Sequence, residues 1–140
     1  MYTPGTINQR RVFVNGTFDI LHRGHIEMLN FARSQGSYLL VAIDSDSLVK
    51  SLKGDTRPIN NQEDRKFALE NLKCVNQVWI FDTQEELAHI CKLYKPDLMV
   101  KGSDYQGKKI TGAEYCNMIK FYPLVQNFST SKLIENINNR

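Results

Sequence analysis

Short apolar runs alternate with amphipathic stretches along most of this chain. Five runs have the composition of buried strands, at residues 12–14, 38–43, 78–81, 97–100 and 121–125. The stretches between them space their apolar residues three and four apart, which predicts helices. Strands that alternate with helices predict an α/β fold with a doubly wound, Rossmann-like, parallel five-stranded sheet. Ligands of such sheets bind beyond the carboxyl ends of the strands.

Local signals bound several of these elements. The first helix carries Ile26, Leu29 and Ala32 on its inner face, and Gly36 ends it. The stretch 48–58, rich in Lys and Gly, is predicted as a loop or a short helix with a mobile tail. Pro123 lacks a backbone N–H, so the last strand is expected at an edge of the sheet.

The remaining helices begin at capping residues. Asn60 and Glu63 have the spacing of a capping box, and we expect Phe67, Ala68 and Leu72 on the inner face of that helix. The same reasoning predicts a helix from Thr83 and Glu86 to Pro96, a short helix over 114–119, and a final helix capped by Ser129, Thr130 and Ser131.

Length and composition favour one domain. The chain has 140 residues, of which 41% are apolar, enough to build a single core. We therefore expect one domain over residues 11–140, preceded by a loose N-terminal arm at residues 1–10. The first residues lack the pattern of a leader, and no apolar run is long enough to span a membrane, so no membrane partner is expected.

The charge balance indicates small anionic ligands. There are 18 basic and 15 acidic side chains, a formal net charge of +3, without a long basic block. This pattern favours small anions over a nucleic-acid partner. Cys74, Cys91 and Cys116 are scattered and form no C-x-x-C pair, which predicts reduced thiols and a cytoplasmic protein.

Residues 12–25 form the stretch with the clearest chemistry. A strand breaks at Asn15-Gly16 and leads through a loop into a helix that begins near His22 and His25. A helix N-terminus offers unpaired N–H groups that suit phosphate, and histidines one turn apart can face the same anion. Gly24 leaves room for a ligand to approach the backbone. One alternative is a metal site, but the sequence has no Cys pair and no third His nearby to complete a set of zinc ligands. The other is that the two histidines lie on the surface and have no role.

A basic segment and two further turns add candidate ligand groups. Lys53 precedes a Gly-containing loop and could close over phosphate. Lys50 could bind phosphate or belong to a solvated face. Arg65 could bind phosphate through its guanidinium or form a salt bridge to Asp64 or Glu70. The candidate nucleoside-binding turn contains Gly102, Asp104 and Tyr105, and the candidate anion-binding cap contains Ser129 and Thr130. Candidate acceptor-binding residues, otherwise solvated charges, are Asp44, Asp46, Asp55 and Arg57.

Three segments carry a resemblance to a known superfamily: residues 16–25, 52–60 and 100–105. They resemble the nucleotidyltransferases with the H-x-G-H signature, in the cytidylyltransferase-like branch. Within that branch the chain is most similar to the adenylyltransferase domain of bifunctional heptose-phosphate kinase/adenylyltransferases. Glycerol-3-phosphate cytidylyltransferases usually lack the run from Lys53 to Pro58. The resemblance covers residues 11–137 and implies a sheet of the nucleotidyltransferase type.

The resemblance implies roles for individual residues. The nucleotide-binding set comprises Thr17, Phe18, Asp19, His22, Gly24, His25, Lys50 or Lys53, Gly102, Asp104, Tyr105, Ser129 and Thr130. The catalytic set comprises His22, His25, Lys53 and Arg65. The chain departs from the family at the last signature, where Ser131 stands for a second threonine and residues 126–128 lack the usual Arg or Gly.

The reaction that the resemblance implies joins ATP and D-glycero-D-manno-heptose 1-phosphate to ADP-heptose, with release of pyrophosphate. Mg²⁺ would bridge phosphate oxygens through water, without a dedicated protein metal site. A homodimer and a transferase without a kinase domain are also expected. One alternative is a CTP:glycerol-3-phosphate cytidylyltransferase. A second is a non-catalytic nucleotide-binding module, which the release of pyrophosphate would exclude. A third is an interaction domain, which would be favoured if Mg-ATP and Mg-CTP gave no thermal stabilisation.

Overall fold

The five apolar runs form one parallel sheet. In the computed structural model, which describes residues 9–123 and 129–139, the strands are β1 (Arg11–Gly16), β2 (Tyr38–Asp44), β3 (Gln77–Phe81), β4 (Leu98–Gly102) and β5 (Met118–Tyr122). Their order is β3-β2-β1-β4-β5, and every pairing is parallel. The chain moves outward from β1 to β3 and then crosses to β4, so β1 and β4 flank the topological switch point.

Helices cover both faces of this sheet. They are α1 (Arg23–Ser34), α2 (Asp46–Lys53), α3 (Gln62–Glu70), α4 (Gln84–Tyr94) and α5 (Thr130–Asn138), with single 3₁₀ turns at Ser103–Tyr105 and Ala113–Tyr115. No helix in the two described ranges is long and apolar enough to cross a membrane. The doubly wound α/β fold predicted from the alternation of elements is confirmed.

Strand alternation separates the core into two clusters. Val12, Val14 and Val100 pack on the side of the sheet that α1 and α3 cover, which we call the first face. Phe13, Ala42 and Met99 pack on the side that α4 covers, which we call the second face. All six side chains are fully buried. Because successive strand residues face opposite sides, this alternation also assigns the polar residues that follow to one face or the other.

The predicted start of α3 is wrong by one residue. Asn61, not Asn60, is the N-cap, and its side chain accepts a hydrogen bond from the backbone N–H of Asp64. Phe67, expected on the inner face of α3, lies outward and is 69% exposed, because the helix packs through Leu69, which is buried. Ala68 and Leu72 are partly buried.

The region before the last strand also differs from the prediction. A single 3₁₀ turn replaces the expected helix over 114–119, because Met118 and Ile119 pair with β4 instead. The strand therefore ends at Tyr122, before Pro123, while residues 124–125 of the expected strand lie outside the described residues. Its edge position is confirmed.

Other boundaries follow their local signals. The short helix in the Lys- and Gly-rich stretch exists and begins at Asp46, after the N-cap Ser45. Thr83 and Ser129 cap α4 and α5 as predicted. Gly36 follows the end of α1, where a Cβ would lie 2.5 Å from the carbonyl oxygen of Arg10. Residues 1–8 of the expected arm lie outside the described residues.

Candidate active site

A cleft of about 560 Å³ opens at the carboxyl ends of the strands. It lies at the switch point between β1 and β4, where this fold class binds ligands. Most of the residues that the sequence singled out line it: Thr17, Phe18, Asp19, His22, Gly24, His25, Asp44, Lys53, Gly102, Asp104, Tyr105, Ser129 and Thr130. Tertiary structure thus brings these residues from five separate chain segments to one cavity.

The two histidines form a stacked pair at the N-terminus of α1. Their ring centroids lie 3.7 Å apart with an interplanar angle of 21°. His22 is the N-cap, and its Nδ1 accepts hydrogen bonds from the backbone N–H groups of Gly24, at 3.1 Å, and His25, at 3.4 Å. The Nδ1 of His25 in turn accepts from the backbone N–H of His22 at 3.3 Å. This reciprocal capping fixes both rings.

These hydrogen bonds determine the protonation of the pair. A ring nitrogen that accepts carries no proton, so each neutral imidazole has its proton on Nε2. Burial lowers the pKa of His22. Burial, followed by the charges of His22 and Lys53, lowers the pKa of His25 to about 4. At neutral pH the cleft therefore holds two uncharged imidazoles with Nε2–H donors.

The loop between β1 and α1 has an unusual backbone. Phe18 and Ile20 have φ angles of 52° and 53°, in the left-handed region that such residues rarely occupy. Asp19, between them, is buried, and its two carboxylate oxygens accept the backbone N–H groups of Ile59 at 2.6 Å and Asn60 at 2.9 Å. The Thr130 hydroxyl donates to the carbonyl of Asp19. Asp19 thus joins this loop to the segment before α3.

Lys53 occupies the end of α2 at the mouth of the cleft. Its Nζ lies 3.4 Å from Oγ1 of Thr17. Gly54 follows with a φ of 100° and ends the helix. The side chain of Lys53 is exposed, so an anion in the cleft can meet it without displacing a buried partner.

Arg65 has a different place from the one expected. The side chain is 1% exposed and does not line the cleft. Its guanidinium donates to the carbonyls of Asn60 at 3.0 Å, Thr17 at 3.0 Å and Asp44 at 2.8 Å. It also pairs with the carboxylate of Asp46 at 2.8 Å. Arg65 therefore holds the cleft walls together, because four of its five N–H donors are already bound to protein acceptors.

Four further predicted residues lie outside the cleft lining: Lys50, Asp46, Asp55 and Arg57. Lys50 and Asp55 are exposed. Arg57 donates to Oγ of Ser131 at 2.9 Å, in the first turn of α5, so it contacts a residue of the cleft lining without lining the cleft itself. Their positions in the sequence predicted that these charges lie near the carboxyl ends of the strands, but their side chains do not line the cleft.

Sequence reasoning missed several cleft residues that lie on the second face. Lys101, at the end of β4, is 7% exposed, and its Nζ donates to Oδ1 of Asn15, at the end of β1, over 3.0 Å. The same Nζ lies 4.2 Å from the ring centroid of Tyr105. Thr111 donates to Oε1 of Gln84 at 3.1 Å, and both line the cleft. The sequence did contain one signal for this part of the site: Lys101, a charged residue, directly follows the buried apolar residues 98–100 of β4.

The carboxylates of the cleft fit a loosely held Mg²⁺. In the described ranges no three His, Cys, Asp or Glu side chains are grouped to hold a metal ion. Asp19 is committed to backbone N–H groups. Asp44, whose pKa is raised mainly by burial, and the exposed Asp104 also line the cavity. Such a donor set suits an ion that phosphate oxygens and water coordinate.

The parallel sheet, with a stacked H-x-G-H pair above its switch point, defines a domain of the α/β nucleotidyltransferase type. A family model described as cytidylyltransferase-like matches residues 13–136. Bifunctional protein HldE from Campylobacter fetus is 47% identical over 126 residues, which are 90% of this chain and 27% of that protein. The HldE of Aliarcobacter butzleri is 44% identical over 131 residues, which are 94% of this chain and 27% of that protein. The chain belongs to the cytidylyltransferase-like family.

Solved structures agree with this assignment. A lipopolysaccharide core biosynthesis protein from Thermoplasma volcanium superposes with a TM-score of 0.65 at 27% identity, over 83% of this chain and 96% of that one. Pantothenate synthetase from Thermus thermophilus has a TM-score of 0.59 at 16% identity, over 83% of this chain and 56% of that one, and shows the fold alone. This chain spans about a quarter of the length of the HldE proteins, 27% in both cases given.

Replacing Arg65 by Met should destabilise the fold. The substitution leaves three carbonyls and the Asp46 carboxylate without their donor, and breaking a buried ion pair costs about 3–5 kcal/mol. Urea unfolding would measure the change. Lys66→Met, next to it on α3, is the control and should shift stability by no more than about 0.5 kcal/mol. A loss below about 1 kcal/mol for Arg65→Met would contradict the assigned role.

The depressed pKa of His25 predicts loss of stability in acid. Between pH about 6.5 and the folded value of about 4, the unfolded chain binds a proton on His25 that the folded protein does not. Unfolding is therefore favoured as the pH falls, by up to about 2 kcal/mol from pH 7 to 5. Denaturant unfolding at both pH values should show this difference shrinking in His25→Gln. The exposed His89→Gln should keep the wild-type difference, and an unchanged difference in His25→Gln would exclude the explanation.

Proposed function

We propose that this domain transfers a nucleotidyl group from a nucleoside triphosphate to a sugar phosphate and releases pyrophosphate. In its most specific form the reaction joins ATP to D-glycero-D-manno-heptose 1-phosphate and makes ADP-heptose. The observation that carries the proposal is the stacked, uncharged pair of His22 and His25 at a helix N-terminus, inside the cleft at the switch point.

The chemistry needs a single displacement. An oxygen of the acceptor phosphate attacks the α-phosphorus of the triphosphate, a new P–O bond forms, and the bond between the α-phosphorus and the pyrophosphate oxygen breaks. The electron pair of that bond leaves with pyrophosphate. The nucleophile is already an anion, so no general base has to remove a proton. Catalysis then consists of positioning and of stabilising negative charge on the phosphoryl oxygens.

The histidine pair suits this task because it is uncharged and fixed. Nε2–H donors that backbone hydrogen bonds hold in place do not have to reorganise when charge develops on the α-phosphate. The N-terminus of α1 adds the positive end of its dipole at the same point. Lys53 adds a mobile full charge beside Thr17.

Arg65, outside the cleft lining, and Asp19, within it, both hold together the segments that form the cleft. Arg65 holds the carbonyls of Thr17 and Asp44, which belong to two walls of the cleft. Asp19 holds the segment before α3 against the loop that carries Thr17 and Phe18. Both are therefore positioning residues in this proposal.

The nucleoside would lie toward the turn after β4. Gly102, Asp104 and Tyr105 line the cleft there, and Tyr105 offers an exposed aromatic ring for stacking. Ser129 and Thr130, at the N-terminus of α5, line the same cleft. Bound Mg²⁺ would neutralise charge on the phosphates, and the carboxylates of Asp44 and Asp104 would accept hydrogen bonds from the water molecules bound to the ion.

Three lines of support favour adenine and a heptose. The residues from Lys53 to Asn60 and from Lys101 to Tyr105 resemble the heptose-phosphate adenylyltransferases. The relatives with 44–47% identity given above are called bifunctional protein HldE. The structural neighbour from Thermoplasma volcanium is titled a lipopolysaccharide core biosynthesis protein, which fits a sugar substrate.

We further propose a cytoplasmic location and a homodimer. Cys74, Cys91 and Cys116 are free thiols, as expected in a reducing compartment. Sedimentation velocity would test the dimer directly.

A substrate matrix tests the proposed function. The chain would be incubated with each of four nucleoside triphosphates, Mg²⁺, and either heptose 1-phosphate, glycerol 3-phosphate or no acceptor, with pyrophosphate as the readout. We expect the fastest release with ATP and heptose 1-phosphate, and ADP-heptose as the product. Faster turnover with CTP and glycerol 3-phosphate would replace the substrates but keep the reaction, while stabilisation by Mg-ATP without any pyrophosphate would indicate a binding module.

Variants of the histidines show whether pyrophosphate arises in this cleft. His22→Ala and His25→Ala should each lower kcat by about 10²-fold, the effect of removing a preorganised transition-state donor. Both variants should still unfold cooperatively. Near-normal turnover in either variant would remove that histidine from the mechanism.

Lys53 and Lys50 form a matched pair on one helix. Lys53 lines the cleft and Lys50 does not. Lys53→Ala should lower kcat by about tenfold or more, which corresponds to about 1.4 kcal/mol, with a smaller change in KM, because a mobile lysine acts most strongly once charge has developed. Lys50→Ala should keep wild-type kinetics. The opposite result would mean that Lys50 supplies the phosphate-binding charge.

A further inference from the structure

The cleft has a second part, beside the ends of β1, β2 and β4, that the phosphate-binding residues His22, His25 and Lys53 do not occupy. Asn15, Asp44 and Lys101 continue the alternation of Phe13, Ala42 and Met99, so all three belong to the second face. His22 and His25 belong to α1, which covers the first face. The cavity therefore extends over both faces of the sheet, with the strand ends between the two parts.

A buried cation is the main feature of this second part. The Lys101 ammonium has three N–H donors, and the neutral Asn15 amide accepts one of them. None of the ion pairs in the described part of the chain includes Lys101. Tyr105 contributes a ring face, and Asp44 and Asp104 act on the ammonium from a distance. A buried charge compensated this weakly is costly unless a ligand anion completes its environment.

We propose that Lys101 binds the phosphate of the acceptor, with Asn15 and Tyr105 positioning its ammonium. The inference rests on the proposed function and adds where the acceptor lies. Two anionic substrates must meet in one cavity, and each needs its own positive group. The triphosphate has the N-terminus of α1 and Lys53, and Lys101 is a buried cation on the other face. The exposed Lys109 also lines the cleft, but its ammonium is already available to water.

The surroundings of Lys101 suit the hydroxyl groups of a sugar. The Asp44 carboxylate can accept from hydroxyls, and the Gln84 amide and Thr111 hydroxyl can both donate and accept. Gln84 and Thr111 already contact each other across the cleft wall, between the start of α4 and the loop before Ala113. This set retains Asp44 from the predicted acceptor residues and replaces Asp46, Asp55 and Arg57.

Lys101→Met tests the proposal because it keeps the length of the side chain and removes the charge. Lys101→Arg retains a positive charge. Lys108→Met is the matched control, since Lys108 also lies near the Tyr105 ring, at 6.0 Å, but does not line the cleft. Steady-state kinetics would vary ATP and heptose 1-phosphate separately, with pyrophosphate as the readout.

We expect Lys101→Met to raise KM for heptose 1-phosphate by about tenfold or more while KM for ATP changes by less than about twofold. Lys101→Arg should recover part of this loss, and Lys108→Met should resemble the wild type. A rise in KM for ATP instead would assign Lys101 to the triphosphate and overturn the proposal. Unchanged kinetics in Lys101→Met would overturn it as well.

The pH dependence gives a readout that a purely structural lysine would not change. Burial lowers the pKa of Lys101 below its usual 10.5, opposed by the facing groups Asp44 on β2, Asp104 after β4 and Cys91 on α4. Burial also raises the pKa of the Tyr105 phenol. KM for the acceptor should therefore rise at alkaline pH in the wild type. Lys101→Arg should lack this rise, because Arg stays protonated.

Thermal shifts separate this proposal from the proposed function. Mg-ATP, heptose 1-phosphate, glycerol 3-phosphate and inorganic phosphate would each be added to wild type and Lys101→Met. Stabilisation by heptose 1-phosphate that disappears in the variant, with stabilisation by Mg-ATP retained, supports both proposals. If glycerol 3-phosphate or inorganic phosphate shows this dependence and heptose 1-phosphate does not bind, Lys101 stands and the heptose assignment fails. Equal stabilisation of both proteins by every phosphate overturns the role of Lys101.

Discussion

The buried guanidinium of Arg65 is the interaction on which the cleft depends. It joins the loop after β1, the end of β2, the start of α2 and the segment before α3 through four hydrogen bonds. A guanidinium in this position is stable only while all of its partners are present, so the four segments keep one arrangement. Asp19 reinforces them by accepting two backbone N–H groups from the segment before α3. The strained backbone at Phe18 and Ile20 persists within this network.

Electrostatics explain why the cleft is built from both faces of the sheet. A helix N-terminus and two uncharged histidines lie on one face, where the proposed function places the triphosphate, and a buried lysine lies on the other. Asp44 lies between the two positive regions, and the charges of Lys53 and Lys101 both act to lower its pKa against the larger effect of burial. Two anionic substrates could therefore approach from opposite sides and meet above the ends of β1 and β4.

Much of the fold and part of the site could be predicted from local sequence. Apolar runs of β-branched and aromatic residues located the strands, and Ser, Thr and Asn at the caps located most helix starts within a few residues. The error at α3 shows the limit of this approach. Asn60 and Asn61 are equally good caps by composition, and the choice depends on Asp19, which binds the backbone N–H of Asn60 from a distant loop.

The amino-acid sequence alone was enough to predict the alternation of strands and helices, the H-x-G-H pair at a helix start, and the cytidylyltransferase-like family. These properties depend on neighbouring residues and on their spacing. Which charges face the cleft depends instead on the folded chain, in which Arg65 is buried outside the cleft lining, Lys50 lies outside the cleft, and the buried Lys101 lines it. Whether a charged side chain is a ligand or a support depends on the partners that the fold brings to it from distant segments. Spacing along the chain does not contain that information.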